Sequence, residues 1–272
     1  MKKTRVLFVT QEIQPFLPEN EISKTVRTLT QGIQEAGKEI RTFTPKFGSI
    51  KERRHQLHEV IRLSGMNLIV DDTDHPLIIK VASVPAARMQ VYFIDNEEYF
   101  KRKNVLVDDE GKFFEDNDER SMFFCRGVLE TVKKLGWQPD IIHCHGWMTA
   151  LMPLYIKKMY NTDPHFAESK VMYTPYEKAF EGKLDANFSK KLAFDGFDAG
   201  DIDSASGATH VELTKIAAKF SDAFSYGSAN IDEEVVKTIQ ATNKPCLEYQ
   251  GEVMVPGYSE FYDSITETVL AD

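Results

Sequence analysis

The residues best placed to do chemistry lie together in Asp140-Ile141-Ile142-His143-Cys144-His145-Gly146-Trp147. Two histidines alternate with apolar residues, and a Gly-Trp pair leads into Met148-Thr149-Ala150-Leu151-Met152-Pro153-Leu154-Tyr155. This reads as a short buried strand, a loop and a helix running from about 147 to 160, with Pro153 as its kink or its first turn. In open α/β sheets, ligands sit in the loops beyond the carboxyl ends of strands. Histidines there, ahead of a helix N-terminus, can meet an anion or a sugar hydroxyl. His143 has a second reading, as a core histidine hydrogen-bonded to backbone. His145 lies one step nearer the loop. Trp147 packs a helix start more often than it faces a sugar, although sugars do stack on aromatic rings.

Other chemistry-bearing residues are scattered. Asp116 and Arg120 stand at a helix start, where capping and an i,i+4 ion pair are the ordinary roles. Asp198, Asp201 and Asp203 offer hard oxygen ligands, but a solvated acidic loop accounts for them better. Lys24 and Lys46 read as surface charges. The three cysteines, Cys125, Cys144 and Cys246, lack C-x-x-C spacing. They point to reduced thiols in a cytoplasmic protein and to no metal or cofactor site.

The elements that position these residues alternate. Residues 4–10 form a buried strand. Asn20 or Ser23 caps the next helix, in which Thr25, Val26, Leu29, Ile33 and Ala36 recur at helical spacing and Gly37 closes the run. A second strand spans 38–44, which makes a β-α-β unit with a parallel pair. Residues 60–63, 67–70 and 77–81 form an antiparallel excursion, and the chain returns as a strand at 89–94. A helix spans 117–135, with Met122, Phe123, Val128, Leu129 and Val132 on its apolar side. After the histidine strand come a strand at 170–174 and an irregular lid or connection at 183–206, anchored by Phe188, Phe194 and Phe197. A helix at 211–220, a last strand at 223–226, a helix at 231–241 and a terminal helix at 258–270 complete the chain. The expected fold is α/β: one Rossmann-like domain over 1–272, with a mostly parallel sheet flanked by helices.

The chain has 272 residues and a net charge of −9, from 33 basic and 42 acidic side chains. That balance argues against nucleic acid, whose binders present a basic face. Val6–Val9 is too short an apolar run for a signal peptide, and no stretch approaches the ~20 apolar residues of a membrane span. No G-x-G-x-x-G follows the first strand, which disfavours a dinucleotide-dependent dehydrogenase.

Taken in order, several stretches resemble the N-terminal domain of bacterial glycogen synthases and plant starch synthases. These are retaining glycosyltransferases of the two-Rossmann-domain, GT-B architecture. The stretches are Arg5–Thr10 followed by Gln11-Glu12-Ile13-Gln14-Pro15-Phe16, Ala36–Arg41 leading to Pro45-Lys46-Phe47, and Val91–Asp95 before Tyr99-Phe100-Lys101-Arg102. Asp116-Asn117 with Glu119-Arg120 and Phe124 comes next, and Gly136-Trp137-Gln138-Pro139-Asp140 runs into the His-x-His-x-Trp. The likeness is strong over 3–160 and weak over 161–272. It implies transfer of glucose from ADP-glucose, as donor substrate, to the 4-hydroxyl at the nonreducing end of an α-1,4-glucan. His145 would then be the catalytic-site histidine on the transferring glucose, with His143 and Trp147 beside it. Asp116 would orient the acceptor, and the loop 15–24, opened by Pro15 and Phe16, would close over the donor.

The departures fall in that lining. Where the family carries Lys-x-Gly-Gly-Leu-x-Asp, this chain reads Leu17-Pro18-Glu19-Asn20-Glu21-Ile22-Ser23-Lys24. Glycines let the backbone approach a diphosphate; Glu21 instead adds a like charge, which repels by about 1 kcal/mol at 4 Å even in water. Gly146 replaces the family's aspartate, and Met148 its His or Gln. The Thr-x-His-Asn segment becomes Tyr173-Thr174-Pro175-Tyr176, and Glu212 stands for an asparagine. The second Rossmann domain, which supplies most nucleotide contacts, has no counterpart in these residues; the terminal helix is a candidate for the family's crossover onto the N-terminal domain. The expectation is a synthase-type domain that is weak or inactive alone. The alternatives are a non-catalytic glucan-binding or regulatory relative, or half of a split synthase. Maltooligosaccharides, a separate C-terminal synthase domain or a second copy of the chain are the expected partners.

Overall fold

A computed structural model describes residues 3–177 and 180–267. Seven strands run parallel: β1 (Arg5–Thr10), β2 (Glu39–Pro45), β6 (Met89–Asp95), β7 (Ile141–His145), β8 (Lys170–Thr174), β9 (Ala223–Ser225) and β10 (Cys246–Leu247). The sheet order is β10-β9-β8-β7-β1-β2-β6, continued beyond β6 by the segments Thr73–Val84 and then His58–Glu59. The β-excursion is antiparallel, as the sequence suggests, and consists of β3 (His58–Glu59), β4 (Met66–Val70) and β5 (Thr73–Val84). Asp71 and Asp72, at φ +46° and +64°, form the two-residue turn between β4 and β5. Residues 60–63 are a turn rather than a strand, because only Leu63 finds a core position while Ile61 faces solvent.

The first helix, α1 (Glu21–Glu35), starts where Asn20 stands in extended conformation. Asn20 Oδ1 accepts from the Ser23 N–H (2.8 Å), and Ser23 Oγ accepts from the Asn20 N–H (3.0 Å), a reciprocal cap. Gly37, at φ +96°, ends it. The helix α2 (Asn117–Lys134) buries Met122, Phe123, Val128, Leu129 and Val132 as expected. The other helices of seven residues or more among the described residues are α3 (Phe188–Phe194), α4 (His210–Phe220), α5 (Glu233–Gln240) and α6 (Met254–Glu267).

Period-2 alternation divides the core. Leu7, Val9, Ile142 and Cys144 join the larger cluster with α2. Val6, Phe8, Ile141 and Met172 face Leu29 and Ile33 of α1 and Tyr258, Tyr262 and Ile265 of α6. Each such side chain contributes about 1.5–3 kcal/mol when fully buried. The α6 helix thus packs back on the sheet, four residues earlier than expected; residues 268–270 lie outside the described residues.

Three other expectations change. Instead of one helix at 147–160 there are a 3₁₀ turn (Trp147–Thr149), a short helix (Met152–Leu154) with Pro153 in its first turn, and a π turn (Tyr155–Met159). The connection 183–206 contains α3; Phe188 and Phe197 anchor it, but Phe194 is exposed. Finally, β9 is not the last strand: β10 pairs beyond it.

Candidate active site

From β1 the sheet grows one way through β2, and it restarts on the other side at β7, so the strand order reverses between β1 and β7. Thr10 and His145 are register partners at the carboxyl ends there, and ligands of open α/β sheets lodge at this crevice. Here the crevice is filled from within. Gly146 turns the chain at φ +82°, and a Cβ on it would lie 2.4 Å from Gln11 Oε1. The Gln11 side chain is buried and faces the Met148 N–H at 3.4 Å. An aspartate at 146 therefore has no room while Gln11 holds this place. Nothing in the sequence pattern singles out Gln11; its role comes from β1 and β7 lying side by side.

Both histidine rings are fully buried. His143 is saturated: Nδ1 meets Tyr262 Oη at 2.6 Å, and Nε2 meets Thr174 Oγ1 at 2.7 Å. The chain continues through Thr174 and Ser225 to Tyr258 Oη, 3.0 Å from Ser225 Oγ. His145 Nδ1 meets Tyr176 Oη at 2.9 Å, while its Nε2 is buried without a partner among the described residues. The two ring centroids are 3.8 Å apart. Burial pushes the His145 pKa down to about 3 and holds His143 well below its ordinary value, with His145 adding to the latter. Both rings are neutral at pH 7. Tyr176 closes the arrangement, since its ring fills the space a Cβ at Gly227 would need, with atoms 2.5 Å away.

The loop after β1 is bound to itself. Ser23 Oγ donates to the Pro18 carbonyl (3.0 Å), Gln14 Nε2 donates to Glu19 (3.0 Å), and the Asn20 side-chain amide donates to Glu12. The N-terminus of α1, a natural seat for an anion, is already capped by Asn20. Glu19, Glu21 and Glu177 are exposed around it, and Lys24 faces solvent in the first turn. Pro15 is exposed, whereas Phe16 is buried edge-on against Phe93 with centroids 4.9 Å apart.

Asp116 lies on another part of the same edge. It sits at the N-cap position of α2 without a capping bond, and its carboxylate takes both Arg102 Nη atoms, at 2.6 and 2.5 Å. Its partner is therefore Arg102 and not Arg120, which is buried and donates to the Tyr99 and Val105 carbonyls (2.8 and 2.7 Å). Burial lowers the Arg120 pKa to about 10. Beside Asp116 opens a groove of about 380 Å³, lined by Lys112, Phe113, Phe114, Glu115, Lys183 and Asp185. The Phe113 and Phe180 rings stack at 5.2 Å next to it. Trp147 is buried edge-on against Phe180 at 4.9 Å, a packing role.

A buried ion cluster supports the groove. Lys191 Nζ lies 2.9 Å from Asp118, 2.6 Å from Glu119 and 3.0 Å from Asp185, tying α3 to α2. Burial pushes the Asp118 pKa up to about 6, against the pull of Lys191. No local pattern signals this cluster, since Lys191 is one lysine in a polar stretch. Two charges expected in solvent are also inside: Lys46 pairs with Glu52 (2.8 Å), and Asp201 pairs with Lys158 (2.7 Å), whereas Asp198 and Asp203 are exposed. Glu212 accepts from the Thr209 N–H at 3.0 Å and so caps α4. Among the described residues no three His, Cys, Asp or Glu side chains are grouped to hold a metal ion, and no helix is long and apolar enough to cross a membrane.

Residues 5–244 match the family model described as the starch synthase catalytic domain. The chain is 37% identical over 189 residues to the glycogen synthase of Chlorobium limicola, covering 69% of this chain and 39% of that protein. It is 36% identical over 219 residues to that of Chlorobaculum tepidum, covering 77% and 44%. The chain thus spans less than half the length of these relatives. Its fold matches the catalytic domain of Starch Synthase IV from Arabidopsis thaliana bound to ADP and acarbose. The TM-score is 0.73 at 19% identity, over 91% of this chain and 51% of that one.

Proposed function

The chain belongs to the starch synthase catalytic domain family, and on that premise we propose that it binds an α-1,4-glucan while holding its own donor side closed. The parent reaction is transfer of glucose from ADP-glucose to the glucan, and these residues alone are expected to carry it out weakly or not at all. The observation that carries this reading is the contrast along the carboxyl edge of the sheet. The groove beside Asp116 is open and aromatic, whereas the crevice at His145 is filled by Gln11 and Tyr176.

In this reading the Phe113–Phe180 pair offers an apolar face to a glucose ring. Glu115, Asp185 and the Arg102-held Asp116 accept from its hydroxyls. His145 Nε2 is buried and reaches a glucosyl hydroxyl only after the side chains that cover it move aside. Synthase chemistry needs positioned substrates and stabilised diphosphate charge. The loop 15–24 supplies an acidic rim and a filled cap instead. A further domain, in this protein or a separate chain, is the proposed source of the diphosphate contacts, and the cytoplasm the proposed location.

The test is incorporation of labelled glucose from ADP-glucose into maltoheptaose by this chain, beside maltoheptaose binding by the chain and by its Phe180→Ala variant. Binding that Phe180→Ala weakens, with little or no incorporation, is the expected result. Brisk incorporation would overturn the closed donor side, and binding indifferent to Phe180 would overturn the groove.

A further inference from the structure

The opposite edge of the sheet carries a second concavity that synthase chemistry does not use. It has a volume of about 830 Å³ and lies at the amino ends of β1, β2 and β6. A six-residue parallel strand places it about 20 Å from His145. Small-molecule sites commonly fall in this size range.

Its charge departs from that of the chain as a whole. Lys3, Lys38, Arg41 and Arg88 line it, with Glu39 the lone carboxylate among the lining residues. Glu39 is already taken by Arg5 Nε (3.3 Å) and Trp137 Nε1 (2.5 Å). Lys38 is bound to Asp263 (2.5 Å). Lys3 and Arg88 form no ion pair among the described residues. Arg41 donates Nη1 to Tyr92 Oη (2.9 Å) and lies 5.2 Å over the Trp137 ring, while its Nε is buried without a hydrogen-bond partner among the described residues. A guanidinium fixed in this way keeps its positive charge in place beside the cavity, where it can pair with a phosphate. Arg88 also has φ +50°, uncommon for a non-glycine residue. The β5–β6 hairpin holds it there, with its carbonyl accepting from Gln34 Nε2 (3.2 Å). Ile40, Val84 and Met89 add an apolar wall.

The geometry points to a binding site for a small organic phosphate in this cavity, with Lys3, Arg41 and Arg88 on the phosphate and the apolar wall against the organic body. The site is independent of glucan binding at the other edge. Occupancy would bridge the start of β1, the start of β2 and the β5–β6 hairpin.

Calorimetric titration with ribose 5-phosphate and with AMP tests this, with ribose, adenosine and inorganic phosphate as controls. Both esters bind and the uncharged controls do not. The Lys3→Gln/Arg88→Asn variant weakens the esters at least about tenfold, as loss of charge pairing requires, and leaves maltoheptaose binding as it was. Asparagine tolerates the positive φ at 88. Ser83→Trp, which fills the cavity and leaves every charge in place, has the same effect on the esters. The assignment is overturned by absence of ester binding, by ester binding that both variants leave intact, or by inorganic phosphate binding as tightly as the esters.

Discussion

Two regions of one sheet edge are built on opposite plans. Around His145 the polar groups are turned inward, where two neutral imidazoles, two α6 tyrosines, Thr174, Ser225 and Tyr176 form a buried hydrogen-bonded interior. Around Asp116 the buried charges lie beneath the surface, and the surface itself is an aromatic groove. Both regions descend from one family frame, and they differ in what fills the space beyond the strand ends. A strand end becomes a site only where side chains leave it open.

The largest expected effect is on the groove's foundation. Lys191→Met leaves Asp118 buried without its counter-ion and lowers unfolding free energy by about 3–5 kcal/mol, measured by urea denaturation, with loss of maltoheptaose binding. Adding Asp118→Asn restores part of that stability, because the orphaned charge goes too.

Acidification separates the regions by sign. The folded-state pKa values of His143 and His145 lie below their unfolded values, so their contribution is full above about pH 6.5 and is lost as pH falls toward 3. Each histidine costs about 1–2 kcal/mol between pH 6.5 and 5. Asp118 has a raised pKa, so its contribution is full below about pH 4 and is lost as pH rises through 6. Urea midpoints at pH 7 and 5 should therefore show a net acid loss that shrinks in His145→Gln and grows in Asp118→Asn.

Opening the closed side is a smaller change. Asn20→Gly with Glu21→Gly removes the cap and the first-turn side chain, costs about 1–2 kcal/mol, and raises ADP-glucose affinity measurably by calorimetry. Smallest is Phe180→Ala, with an expected loss of about 1 kcal/mol of maltoheptaose affinity, from the stacked pair.

What the sequence made legible was periodic. The core of β1, the apolar side of α2, the Asn20 cap and the histidine strand all follow from local pattern, because alternation and capping act over a few residues. What it hid was long-range. Gln11 fills the crevice only because β7 lies beside β1. Lys191 looks solvated until α3 docks on α2, and Tyr262 reaches His143 from 119 residues away. The π turn at Tyr155–Met159 breaks a helical pattern that Pro153 alone only kinks. His143 left both readings open in sequence; the fold gives both its ring nitrogens partners inside the protein, and Asp116 an arginine no spacing rule would choose.

The most direct measurement is a paired calorimetric titration of the unmodified chain with maltoheptaose and with ADP-glucose. Maltoheptaose binding without ADP-glucose binding is the predicted result. ADP-glucose binding of comparable strength would contradict the closed donor side, and silence toward maltoheptaose would contradict the open groove.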